Sequence, residues 1–345
     1  MQVPFLDLKQ QFHSLEGEIR QAIDEVLESQ QFIQGPHCKR FAENFNQVHG
    51  SSYSVGCSNG TSAITIALKG LGIGAGDEVI TVANTFIATL ESIVEVGAKP
   101  VLVDCLPDSY LIDQSQLESK LTSKTKAVIA VHLYGNTIEM DRLVEFCVTH
   151  NLKLVEDCAQ AHLAKFAGKP VGSFGQYGTF SFYPGKNLGA YGDAGLVVSE
   201  SKERLDWASM YLNHGRTQKY LHDFVGTNFR MDAIQANILN VKLKYLADWT
   251  ESRKKLATLY DKRLSSCGYQ VLQKIEKGDC VYHLYPVLFE NREEVATALK
   301  DKGISTGIHY PPQYFSSAEV ISPTVALAST AATASWRPFP SPFSA

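Results

Sequence analysis

Between Tyr53 and Gln160 the chain repeats one pattern: a short β-branched or apolar run, then an amphipathic stretch of helical spacing, then another run. SVGCS is followed by TSAITIALKGL, EVITV by FIATLESIVEVG, KPVLVD by a helix expected around Gln114 to Leu121, and KAVIAVHLYG by one near Met140 to His150. LKLVEDCAQ closes the series. Consecutive parallel strands need a long crossover, usually a helix, so the rhythm predicts a mostly parallel sheet covered on both faces. The expected fold class is α/β, a mostly parallel mixed sheet in a large domain with a smaller α+β domain after it. Ligands of such sheets sit beyond the carboxyl ends of the strands, where the polar residues of this chain collect.

The flanking stretches complete this layout. After Pro4, Phe5 and Leu6, a helix is expected from about Leu8 to Ser29, with Phe12, Leu15, Ile19, Ile23 and Val26 forming one apolar stripe. Downstream come a strand at GLVVS, a helix from about Lys202 to Leu212, a polar loop NHGRTQKYLHDFVGTNFRMD, and a long helical region from about Met231 to Leu264 that would link two domains. VYHLYPVLF and ISTGIHY read as strands around a helix, NREEVATALKDKG, ended by Gly303. The division expected is 1–245 and 246–345. From about residue 315 the chain is rich in Ser, Ala, Thr and Pro without a sustained period, and no structure is expected there.

Composition narrows the function classes. With 32 Lys plus Arg against 36 Asp plus Glu, there is no basic footprint for nucleic acid. The cysteines at 38, 57, 105, 147, 158, 267 and 280 include no closely spaced pair of the kind zinc sites use, so they are expected as thiols with no metal site. The N-terminus lacks the layout of a signal peptide and no apolar segment approaches membrane-spanning length, so a cytoplasmic protein without membrane contact is expected.

One lysine stands apart from the rest. Lys186 follows the apolar run Tyr177 to Tyr183 and is hemmed in by Pro184, Gly185 and Gly189, in SFYPGKNLGAYGDAG. A partly desolvated amine has a lowered pKa and a free lone pair, which suits a Schiff base with an aldehyde cofactor; a surface loop lysine is the competing reading. A cofactor of the pyridoxal phosphate kind needs an amine, an acid for its ring nitrogen, an anion cradle for its phosphate and a flat partner for its ring. Asp157, at the end of LKLVE, can be that acid or merely a helix cap. Asn59, Gly60 and Thr61 open a helix after a strand, a ready phosphate site, although an N-cap alone accounts for Thr61. Ser181 can add a hydroxyl, and Phe86 can lie on the ring or sit in the core.

SNGTSAI, ANTFIAT, EDCAQAH, SFYPGKN with GDAG, NHGR, GTNFRMD and GIHYPP, in this order and at these separations, resemble the pyridoxal phosphate-dependent nucleotide-sugar aminotransferases of the DegT/DnrJ/EryC1/StrS type, on the aspartate aminotransferase-like fold (fold type I). The resemblance runs from Pro4 to about Gln313. It implies pyridoxal 5'-phosphate bound to Lys186, with Asp157 on the pyridine nitrogen and Gln160 near the ring hydroxyl. It places Gly60, Thr61 and Ser181 at the phosphate and Phe86 on the ring. It implies that Asn228 reaches the cofactor of a neighbouring subunit, hence a homodimer with shared active sites. His309 and Tyr310 would face the nucleotide-sugar, with His162, Tyr183 and Arg230; Arg230 starting a helix and His309 as an ordinary strand residue are the competing readings. The implied reaction takes an amino group from L-glutamate to a nucleotide-diphosphate keto sugar, most closely a 3-keto hexose, with a 4-keto sugar as the alternative.

Three other outcomes compete with this reading. Related dehydratases carry histidine in place of the lysine, which Lys186 argues against. A nicotinamide site at Gly70 to Val79 has its glycines after a helix and before a strand, the reverse of the dinucleotide order. A regulatory relative without turnover is disfavoured by Lys186 and Asp157, but the ending ASWRPFPSPFSA departs from the family's pattern and resembles a shortened or frame-altered version, from which lowered stability or altered substrate closure is expected.

Overall fold

The computed structural model describes residues 2–310 and 324–327. Helix α1 (Leu8–Ser29) starts where the Asp7 carboxylate accepts the Gln10 N–H at 2.9 Å, and it buries Leu15, Ile19, Ala22 and Val26. Phe12 and Ile23 pack at the edge of that stripe. Helix α2 (Gly35–His49) has no counterpart among the expected elements, although a proline in its first turn and Gly50 in the left-handed region after its end are ordinary helix signals.

The crossover series follows as β1 (Tyr53–Cys57), α3 (Gly60–Gly70), β2 (Glu78–Val82), α4 (Ile87–Glu95), β3 (Lys99–Val103), β4 (Thr125–Val131), α5 (Met140–Thr149) and β5 (Lys153–Asp157). A short hairpin, β6 (Lys165–Phe166) with β7 (Lys169–Pro170), precedes β8 (Tyr177–Ser181) and β9 (Gly195–Ser199). The seven-stranded sheet has the order β1-β9-β8-β5-β4-β2-β3, and within it β9 pairs antiparallel with both β1 and β8 while the other pairings are parallel. The expected mostly parallel sheet is thus present. Its central strands are buried on both faces: Val79, Ile80, Val128, Ile129 and Val155 are fully enclosed, each stabilising the fold by about 1.5–3 kcal/mol relative to exposure.

The region expected as a helix at Gln114 to Leu121 is instead two 3₁₀ turns, Gln114–Gln116 and Glu118–Lys120. The Asp113 carboxylate captures the Ser115 N–H and hydroxyl and the Gln116 amide, a local alternative to helix propagation.

Beyond the sheet come α6 (Lys202–Tyr211), a hairpin of β10 (Arg216–Gln218) and β11 (Leu221–His222), α7 (Ala233–Leu243), α8 (Leu246–Ser266), β12 (Tyr285–Leu288), α9 (Arg292–Asp301), β13 (Thr306–Ile308) and β14 (Thr324–Leu327). The long helical region is therefore two helices, separated at Lys244 and Tyr245 by a tightened turn in which each N–H reaches back three residues. The expected 245/246 division falls at this break. The strand expected over VYHLYPVLF is confined to Tyr285–Leu288, because Val281 and His283 give their N–H groups to Gly135 and Tyr134 of the large sheet's loops.

The tail, expected without structure, supplies β14, which pairs antiparallel with β12 on one side and β13 on the other. The ending ASWRPFPSPFSA, expected to be an altered one, lies wholly outside the described residues.

Candidate active site

A cavity of about 630 Å³ opens at the carboxyl ends of β4, β5 and β8, a volume within the ordinary range for small-molecule sites. Its walls include Gly60, Thr61, Phe86, Asp157, Gln160, Ser181, Tyr183, Lys186, His309 and Tyr310.

Lys186 stands on the loop that joins β8 to its antiparallel neighbour β9. That loop is held from several sides: Lys186 N–H donates to Tyr183 O at 2.8 Å, Ala190 N–H to Phe182 O at 2.8 Å, and the Asn187 amide to Val281 O at 3.1 Å. From α7, the buried Lys242 donates to Gly189 O at 2.7 Å and lies 3.8 Å from the centroid of the Tyr191 ring. Burial pushes the Lys186 amine down to about 8, against the opposing pull of the Asp157 charge. Burial lowers Lys242 to about 7 as well, but its amine is spent on the Gly189 carbonyl, and it is not among the cavity walls.

Asp157 is the last residue of β5 and is 7% exposed. Its Oδ1 accepts the Ala159 N–H at 3.1 Å and its Oδ2 the Thr89 hydroxyl at 2.9 Å. Burial raises the carboxyl, while those two bonds and the positive charge of Lys186 act to lower it. No helix follows it directly, so capping does not explain its position.

At the opposite wall α3 begins. Its N-cap is Asn59, whose side chain accepts the Ser62 N–H at 2.8 Å, with the Ser62 hydroxyl returning the bond to the Asn59 N–H. Gly60 and Thr61 thus occupy the first helical turn, where backbone N–H groups point outward without intrahelical partners. Gly60 lies directly on Ser181: a methyl there would stand 2.7 Å from Ser181 Cβ and 3.3 Å from its Cα. The helix start and the end of β8 therefore form one narrow cradle. Gly60→Ala is expected to weaken pyridoxal phosphate binding by about tenfold or more, measured by absorbance titration; an unchanged dissociation constant would contradict the cradle.

Phe86 is not a core aromatic. It is 51% exposed within the cavity mouth, at the N-cap of α4, with its ring 5.9 Å from that of Tyr310. Gln160 accepts the Tyr134 N–H at 2.6 Å and donates to the Tyr310 hydroxyl at 2.8 Å, while the Tyr134 hydroxyl donates to His309 O at 2.5 Å. These bonds fix the His309–Tyr310 pair against the large sheet. The His309 ring stacks on Phe5 at 5.7 Å, which brings the N-terminal segment into the wall.

Three residues expected at the site are not among the described cavity walls. His162 is a correction: it is fully buried, packed between Phe180 and Phe182, and its Nε2 bonds to Ser181 O at 3.0 Å. Burial pushes it down to about 3, so it supports the cradle from behind as a neutral ring and does not face a substrate. Asn228 is exposed beyond the cavity, bridged to Asn213. Arg230 pairs through its backbone with Cys57 and approaches the Asn213 side chain at 3.3 Å.

The residues that sequence reasoning missed lie in the walls and behind them. Glu156, fully buried, accepts N–H groups from Gly172, Phe174 and Gly175 at 2.7–2.8 Å. The His132 ring meets the same carboxylate at 3.1 Å while its Nδ1 accepts the Ile138 N–H at 3.2 Å. With Cys158 these two form a compact trio of possible metal-binding types, but the Glu156 oxygens are already engaged by four donors. An acid beside Asp157 was visible in the sequence; that it would be saturated by a loop sixteen to nineteen residues away was not. Thr85 and Thr89, four apart, left the signal of two hydroxyls on one face of an otherwise apolar helix start. Arg253, from α8, also reaches the cavity wall, without any sequence signal that set it apart.

The sequence model of the DegT/DnrJ/EryC1/StrS aminotransferase family matches residues 13–337. The chain is 41% identical over 314 residues to a pleiotropic regulatory protein of Geobacillus stearothermophilus, covering 90% of this chain and 84% of the relative. It is 40% identical over 310 residues to the dTDP-3-amino-3,4,6-trideoxy-alpha-D-glucose transaminase of Streptomyces venezuelae, covering 90% and 82%. Among solved structures it is similar to S. venezuelae DesV in complex with a ketimine intermediate, with a TM-score of 0.91 at 37% identity, over 95% of this chain and 93% of the other.

Proposed function

The chain belongs to the DegT/DnrJ/EryC1/StrS aminotransferase family, and from that premise we propose that it moves an amino group from L-glutamate to a keto sugar carried on a nucleoside diphosphate. Its cofactor is pyridoxal phosphate. The residues present fit that group: a buried amine, a buried carboxylate and a helix start with no room for a side chain at Gly60 line one cavity. This convergence is the observation that carries the proposal.

When bound, the cofactor supplies an electron sink for the carbon that bears the amino group. Lys186 would hold it through its amine, and that amine, lowered by burial and once free, would take the proton from the substrate carbon and deliver it to the cofactor carbon that had carried the lysine. Asp157, oriented by its bonds from Ala159 and Thr89, would hold the proton on the ring nitrogen. Gly60, Thr61 and Ser181 would bind the phosphate, Phe86 would cover one ring face, and Gln160 would meet the ring hydroxyl. Tyr183, His309 and Tyr310 border the remaining space, where the sugar would lie.

Asn228 and Arg230, outside this chain's own cavity, fit the proposal of a homodimer in which each subunit completes the other's site. The division at 245/246 is retained as a large cofactor-binding domain and a smaller one. No described helix is long and apolar enough to cross a membrane. The seven cysteines are all unpaired thiols, in keeping with a reducing cytoplasmic setting.

A relative named for a 3-amino sugar supports amination at carbon 3. The relative named as a regulatory protein supports a second reading, a chain that signals without turnover, which Lys186 and Asp157 in one cavity disfavour. The test offers a panel of 3-keto and 4-keto nucleotide-sugars with glutamate and follows the amino sugar and 2-oxoglutarate. Turnover of a 3-keto sugar is expected; selective turnover of 4-keto sugars would overturn the position, and no turnover by cofactor-loaded protein would overturn the reaction.

A further inference from the structure

Hydroxyls inside the helices of this chain commonly return to the carbonyl four residues back: Thr250 to Leu246, Thr258 to Lys254 and Thr297 to Glu293. That is the ordinary outlet for a helical Thr or Ser. Thr89 departs from it. Its Oγ1 donates across to Asp157 Oδ2 at 2.9 Å, from the first turn of α4 to the end of β5. Because a hydroxyl has one proton, the 2.9 Å contact between the Thr85 and Thr89 oxygens then has Thr85 as donor. Both threonines are buried, 1% and 0% exposed, so water does not offer a substitute.

A carboxylate rotates broadly about its last torsion, and two fixed donors are what select one orientation. Asp157 has one on each oxygen, Ala159 N–H on Oδ1 and Thr89 on Oδ2. The same helical turn that carries Thr89 starts at Phe86, whose carbonyl accepts the Thr89 N–H at 3.2 Å. Phe86 is therefore exposed in the cavity while Thr89, one turn on, is bonded to the carboxylate at its floor.

We propose that Thr89, backed by Thr85, is a positioning residue for the cofactor: it orients the Asp157 carboxylate and locks it in register with Phe86, so that ring nitrogen and ring face are met by one rigid unit. The inference rests on the pyridoxal phosphate reading of the cavity. Burial raises the Asp157 carboxyl, and the Thr89 bond is one of the influences that lower it, beside the Ala159 bond and the charge of Lys186; the His132 ring, whose Nδ1 accepts the Ile138 N–H, and the Tyr310 hydroxyl, bonded to Gln160, are the other titratable groups nearby. Removing the bond favours the protonated acid, which cannot hold a proton on the ring nitrogen.

The test uses the full chain with Thr89→Val, Thr89→Ser and Thr85→Val, titrated with pyridoxal phosphate by visible absorbance, beside thermal midpoints without cofactor. Thr89→Val is expected to lower affinity about tenfold and to alter the visible band, with Thr89→Ser restoring both and Thr85→Val intermediate. Because Thr89→Val also leaves a buried carboxylate oxygen without its donor, its midpoint without cofactor should fall by a few degrees, and that fall should be smaller in Thr89→Ser. Unaltered affinity and band in Thr89→Val would overturn the proposal, as would a Thr89→Ser loss equal to that of Thr89→Val, which marks a packing role. Should Thr89→Val not fold, the Thr85→Val titration decides: a weakened affinity supports the proposal and an unchanged one overturns it. Failure of the unaltered chain to bind pyridoxal phosphate would overturn the cofactor reading itself, and this inference with it.

Discussion

Lys186→Ala is expected to lower transamination by about a thousandfold or more, since a positioned acid–base group contributes roughly 10²–10⁴ and this residue would also anchor the cofactor. The variant should fold, because the loop around it is held by bonds that do not use the lysine amine: Ala190 to Phe182, Asn187 to Val281, and Lys242 to Gly189. It should also lose the visible absorption of the lysine-bound cofactor while still binding pyridoxal phosphate through Gly60, Thr61, Ser181 and Asp157. Near-normal turnover with that absorption intact would show that another amine does the work.

The second large effect is on stability. Glu156→Ala should destabilise the protein by on the order of 3–5 kcal/mol, a large share of the roughly 5–15 kcal/mol that holds a typical domain. Glu156 and His132 are fully buried, and the carboxylate accepts three loop N–H groups and faces the His132 ring, so alanine leaves these donors without their partner. Glu156→Gln does not restore the arrangement. Oε1 accepts from Phe174 and Gly175 while Oε2 accepts from Gly172 and faces His132, so an amide nitrogen placed on either side meets donors. Denaturant unfolding measures the loss; a midpoint unchanged in Glu156→Ala would mean that the loop 172–175 does not depend on this residue. Because Asp157 is the next residue on the strand, weakened pyridoxal phosphate binding should accompany the loss of stability.

Much of this was legible in the sequence where local chemistry decides. The β-branched runs and their intervening amphipathic stretches gave the sheet, and Asp157 and Lys186 were recognisable because charged residues ended apolar strands or sat in a glycine-bounded loop. What escaped was set by partners distant in the chain. His162 looked like a polar group destined for the site, but the Ser181 carbonyl and two phenylalanine rings claim it. Thr324–Leu327 carries no periodic signal, yet two waiting strands make it the centre of a sheet. The Gln114 region failed for the opposite reason: an aspartate two residues away outcompeted helix formation locally. Glu156 could not be told from a surface acid without the loop that folds over it.

The central claim is that the Lys186 amine carries pyridoxal phosphate in a cavity floored by Asp157. Incubating the full chain with pyridoxal phosphate, reducing with borohydride and mapping the modified peptide by mass spectrometry tests it most directly. The account predicts one stoichiometric phosphopyridoxyl group on Lys186. A group on Lys242 or on an exposed lysine, with Lys186 unmodified, would contradict it.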